Sequence, residues 1–144
     1  MLYYSTRDAK KQNGKTASYA IKQGLCEDGG LFMPETLPHY SEERLRSFLP
    51  LSYPERAAKI LADFLTDYTE EELLRASRAA YSEEKFPGGA TAITALGKTH
   101  RILELWHGPT CAFKDMALQI MPHLLTMALR KNGEKRTAYI LVAT

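Results

Sequence analysis

One lysine stands where its amine could do covalent chemistry. It lies in the stretch Glu104-Leu105-Trp106-His107-Gly108-Pro109-Thr110-Cys111-Ala112-Phe113-Lys114-Asp115, between a strand-like run and the start of a helical one. The positive end of a helix dipole disfavours an ammonium group. Burial beside Phe113 and Trp106 would disfavour it further, so the pKa of the Lys114 amine is expected to fall. A neutral amine condenses with a carbonyl group to a Schiff base. The free N–H groups at the same helix end suit a phosphate or a carboxylate. Together these features suit a phosphorylated aldehyde. The plainer alternative is a solvated lysine whose neighbour Asp115 caps a helix.

Three other residues are candidates to grip a phosphorylated substrate, on charge and donor chemistry: Arg7, His107 and Thr110. His107, beside Gly108-Pro109, could equally stack on a ring or bond the backbone. Asp28, before Gly29-Gly30, reads as a turn residue. Cys26 and Cys111 are far apart and lack a Cys-x-x-Cys partner, so neither a disulfide framework nor a thiolate metal site is expected.

The elements that would position Lys114 follow from periodicity. The chain opens with a strand-like run, a short amphipathic stretch over Ala17 to Gln23, and a turn over residues 27–34. From Ser41 to Ser82 three helices are predicted, with hydroxyl-to-glutamate start signals at Ser52/Glu55 and Thr69/Glu72. Ala57, Ile60, Leu61, Phe64 and Leu65 form an apolar stripe on the second, and Leu73, Leu74, Ser77 and Tyr81 a weaker one on the third. Phe86-Pro87-Gly88-Gly89 ends this helical region.

Beyond it, residues 101–106 read as a strand, 116–131 as a helix that Pro122 kinks or divides, and 137–143 as a second strand. Strand, helix, strand implies a right-handed crossover between parallel strands. The predicted fold class is therefore α/β: a small, mostly helical N-terminal subdomain, residues 1–88, then the first strand-helix-strand unit of a parallel-sheet domain, residues 89–144. A buried-type strand with nothing after it suggests truncation.

Composition narrows the function classes. The 144 residues carry 19 Lys and Arg against 17 Asp and Glu, a formal net charge of +2, with the basic residues scattered among acidic ones. No nucleic-acid footprint is present. Nor is there a signal peptide or a stretch long enough to span a bilayer, and a reducing cytosol suits the chain. At 44% hydrophobic and 25% charged residues the composition is that of an ordinary globular protein.

The segment His107-Gly108-Pro109-Thr110-Cys111-Ala112-Phe113-Lys114-Asp115 resembles the cofactor-lysine motif of the threonine synthases. Tyr3-Tyr4-Ser5-Thr6-Arg7 and Gly24-Leu25-Cys26-Glu27-Asp28-Gly29-Gly30-Leu31-Phe32-Met33-Pro34 resemble the same family, in the same order. The resemblance implies a fold type II enzyme dependent on pyridoxal 5'-phosphate (PLP), converting O-phospho-L-homoserine and water into L-threonine and phosphate. It implies a Schiff base at Lys114, with Phe113 and Lys114 as cofactor-binding residues and no metal. In the family, the strand matching residues 139–144 leads into a cofactor-contacting loop, and later loops hold the phosphate and meet the pyridine nitrogen. The 144 residues by themselves are therefore expected to be inert. A related phospho-lyase, or a non-enzymatic helical module over residues 41–82, are the alternatives.

Overall fold

The computed structural model describes residues 1–141. The opening strand β1 (Tyr3–Ser5) pairs antiparallel with β2 (Phe32–Pro34), and α1 (Ala17–Gln23) lies between them in sequence. Thr16 caps α1 by accepting a hydrogen bond from the amide of Tyr19. The 27–30 turn forms as predicted: Gly29 takes φ +76°, and the Asp28 carboxylate accepts from the amide of Gly30 at 2.8 Å and the hydroxyl of Ser5 at 2.7 Å.

The three helices expected between Ser41 and Ser82 are α2 (Glu42–Ser47), α3 (Tyr53–Phe64) and α4 (Glu70–Ala80). Both glutamate start signals operate. Glu55 accepts from the amide and hydroxyl of Ser52. Glu72 accepts from the amide of Thr69, whose hydroxyl in turn accepts from the amide of Glu72. The stripe on α3 is rotated from the predicted one, because Ile60 is 40% exposed whereas Ala58 is buried. Ala58, Ala76 and Ala80 let α3 and α4 approach closely, which a stripe counted only in large residues misses.

The second half departs most from expectation. Residues 100–104 form a strand, β4 (His100–Glu104), but it pairs antiparallel with β3 (Ala92–Leu96), a strand not predicted. Gly97, at φ +67°, turns the chain in a loop far too short for a crossover, so the two strands close as a hairpin. The described part of the second predicted strand, residues 137–141, carries no strand, and residues 142–144 lie outside the described residues. Tyr139, Ile140 and Leu141 are 85%, 69% and 95% exposed: a strand-like composition without a neighbouring strand to pair with. Among the described residues the two sheets are both two-stranded and antiparallel, so the expected parallel unit is not formed there.

Pro122 divides the long helix, as one of its two expected effects, into α5 (Asp115–Leu118) and α6 (Met121–Lys131), where it occupies the first turn of α6. Asn132-Gly133 closes α6, with Gly133 at φ +62°. Helix α6 returns to the N-terminal helices. Leu124 and Ala128 join Ala17, Ala58, Leu65, Tyr68, Leu73, Ala76 and Ala80 in one buried cluster. Polar links reinforce it: Tyr68 donates to the carbonyl of Leu124 at 3.1 Å, and Asn132 donates to the Ser18 hydroxyl at 3.1 Å.

Lys131 on α6 meets Glu72 on α4 at 2.8 Å, each side chain 25% exposed. That hydrogen bond, then the amide of Thr69, holds the Glu72 carboxyl below the usual carboxylate range, partly opposed by burial. A carboxyl lowered on folding stabilises above its unfolded pKa and loses the contribution as pH falls through the folded one. Glu72→Gln keeps the cap and removes the charge. It should therefore cost about 0.5 kcal/mol at neutral pH and progressively less as the pH falls below the usual carboxylate range, in urea melts of both chains at neutral and acid pH. An equal cost at the two pH values would mean the charge contributes nothing.

Candidate functional site

Lys114 is carried on the loop that follows β4. The loop leaves the hairpin at Glu104 and re-enters helical structure at Asp115, so its geometry is set at both ends. Asp115 is fully buried, and its carboxylate does not cap α5 as expected. Lys114 occupies the position before the helix, while Asp115 turns back to accept from the amide of Thr110 at 2.8 Å and the hydroxyl of Thr110 at 3.0 Å. Gly108 packs directly on that carboxylate. A Cβ there would lie 2.5 Å from the Cβ of Asp115, closer than real atoms approach, so the motif requires glycine. Cys111, exposed, completes the tight loop at φ +55°.

Lys114 is exposed rather than partly buried, and Phe113 beside it is 66% exposed. Trp106, 50% exposed, stacks on His107 instead of on the lysine, with ring centroids 5.9 Å apart at 20°. The burial expected around the amine is thus not supplied by these neighbours. Lys114 instead lies on the wall of an open concavity of about 630 Å³ that Tyr53, Leu103, Leu105, Phe113, Met116 and Leu118 also line. The N-terminal helices shape this wall. Tyr81, just after α4, donates to the carbonyl of Met116 at 2.8 Å and meets Tyr53 edge-on at 5.0 Å. Burial, then the neighbouring Tyr53, pushes the Tyr81 phenol up to about 12, so it serves as a neutral donor.

The other predicted residues are dispersed. Thr110 spends its hydroxyl on Asp115. His107 bonds through Nε2 to Glu104 at 2.8 Å and does not line the concavity. Arg7 donates to the carbonyl of Asp28 at 2.7 Å, beside a separate hollow of about 250 Å³ bounded by Ser5, Asp8, Lys15, Cys26 and Asp28. The two hollows share no lining residue. Of the candidates, only Phe113 and Lys114 line one cavity together.

Sequence reasoning missed Glu104 and the bracing role of Asp115. The spacing Glu104-x-x-His107 and the invitation of a glycine seven residues before an aspartate were the available signals.

The apolar wall and the amine suit the ring and aldehyde of PLP. Among the described residues Lys114 is the only cation lining the concavity, so they offer little to a phosphate.

Comparison with known proteins bears on the family. The family model described as threonine synthase N terminus matches residues 2–81, more than half of the chain. Threonine synthase of Eremothecium gossypii is 36% identical over 140 residues, covering 92% of this chain and 27% of that protein. Threonine synthase of Escherichia coli is 36% identical over 128 residues, covering 88% and 28%. The crystal structure of PLP-bound threonine synthase from Brucella melitensis superposes with a TM-score of 0.82 at 32% identity, over 92% of this chain and 28% of that one. This chain thus spans under a third of the length of these relatives. With its N-terminal region matched by the family model and its backbone by the solved enzyme, the chain belongs to the threonine synthase family.

Proposed function

We propose that these residues are the N-terminal part of a threonine synthase that converts O-phospho-L-homoserine and water into L-threonine and phosphate. The observation that carries this is the place of Lys114, in a segment that resembles the family's cofactor-lysine motif, on the wall of an apolar concavity and on a loop braced at Gly108, Thr110 and Asp115. PLP supplies an electron sink when bound. Lys114 and Phe113 are the residues here that would hold it, and Nζ of Lys114 is placed to move protons once released. Leu103, Leu105 and Met116 line the same concavity and would give a bound cofactor an apolar wall.

In this reading residues 1–88 are the N-terminal subdomain and residues 89–144 open the PLP-binding domain. Helix α6 then docks the second on the first. The missing cationic grip on the phosphate is assigned to later parts of the polypeptide, and a reducing cytosol suits the two free cysteines.

The direct test is borohydride reduction of the threonine synthase polypeptide carrying this sequence, in the presence of PLP, followed by peptide mapping. The label is expected on Lys114. Its appearance on another lysine would refute the assignment.

A further inference from the structure

Side chains from both hairpin strands and from the lysine loop converge away from the concavity. Leu103 and Leu105 line the concavity, and strand alternation turns Glu104 to the other side. Glu104, the last residue of β4, accepts a hydrogen bond from the hydroxyl of Thr94 on β3 and a second, at 2.8 Å, from Nε2 of His107. The Thr94 hydroxyl, then His107, holds the Glu104 carboxyl below the usual carboxylate range. An ionised carboxylate only accepts, so Nε2 of His107 carries the proton. Among the described residues Nδ1 of the ring has no hydrogen-bond partner. Trp106 stacks on the ring and limits its rotation.

His107 lies near the entry of the loop, three residues after β4 ends, and Asp115 closes it. The second grip, Asp115 on Thr110, was described above. The first is the carboxylate of Glu104, which ties the loop entry to both hairpin strands through Thr94 and its own backbone. Hydrogen bonds of this kind fix a functional loop to within the tolerance that chemistry demands.

We propose that Glu104 is a positioning residue for the Lys114 loop: gripping Nε2 of His107, it fixes the loop against the β3–β4 hairpin and presents Nδ1 of His107 as the free nitrogen. The proposal rests on the assignment of Lys114.

Glu104→Ala and Glu104→Gln in the threonine synthase polypeptide carrying this sequence test it. Loss of the grip in Glu104→Ala should lower kcat/KM by about 100-fold, whereas Glu104→Gln, whose amide oxygen still accepts from Nε2, should stay within about 5-fold of the parent. Imidazole NMR with ¹⁵N-labelled histidine should show a slowly exchanging Nε2–H in the parent and in Glu104→Gln, and none in Glu104→Ala. Two results overturn the proposal: a protected Nε2–H that survives Glu104→Ala, or a Gln variant as impaired as the Ala variant. If borohydride labels a lysine other than Lys114 in the parent, the Lys114 reading fails instead, and the NMR signal still reports the Glu104–His107 contact.

Discussion

Replacing Lys114 by alanine should abolish threonine formation by the polypeptide that carries this sequence, with a drop in kcat on the order of 10⁴-fold or more. The size follows from covalency. On the proposed assignment Lys114 forms and breaks a bond to the cofactor, and among the described residues no other amine lines the concavity to replace it. Lys114→Arg should be nearly as inactive, since a guanidinium stays protonated and cannot condense with an aldehyde. Stability should hardly change in either variant. The side chain is exposed, and the loop is held by Gly108, Thr110 and Asp115, which both substitutions leave in place. Coupled assays of phosphate and threonine release, with urea melts as the folding control, decide the point. An alanine variant retaining a tenth of the parent rate would show that the chemistry lies elsewhere.

The second large effect concerns folding. Leu73 on α4 is 0% exposed and belongs to the buried cluster that also holds Leu65, Tyr68, Ala76, Ile120 and Leu124. Truncating a buried leucine costs the lost transfer energy plus the cavity left behind, about 2–5 kcal/mol in total. The value here should fall in the upper part of that range. The helices around it are tied by Tyr68 to Leu124 and by Glu72 to Lys131, which limits collapse into the void. Leu73→Ala is therefore expected to lose about 4 kcal/mol against Ile60→Ala, 40% exposed, which should lose under about 1 kcal/mol. Urea midpoints of the two variants make the comparison. Equal losses would show that α4 is not the centre of the core.

The helical half of the fold was legible because its signals are local. Capping pairs at Ser52/Glu55 and Thr69/Glu72 lie three residues apart, and the Pro122 break needs only one residue. The hairpin was not legible in the same way. β3 and β4 carry exposed Ile93, Leu96 and Leu103 with no clean alternation, and the decision between hairpin and crossover rests on the short turn at Gly97. For the site, the resemblance of the motif singled out Lys114, and spacing suggested a ligand-bearing loop. Spacing could not show that Arg7 belongs beside Asp28, which depends on where separate segments meet, or that Thr110 is spent on Asp115, which depends on how the loop folds back on itself. The expected burial of the amine failed for a related reason: Trp106 found His107 as a stacking partner.

The return of α6 onto α1 and α4 governs the order in which the molecule can assemble. Ser18 waits for Asn132, a separation of 114 residues, and Ala17 for the helix that contains Ala128. On the ribosome, the early helices emerge with part of their apolar surface bare and gain it only when α6 clears the exit tunnel. Nascent chains of this protein are thus exposed to chaperones for most of the time needed to synthesise these residues, and closure must await contacts far apart in sequence.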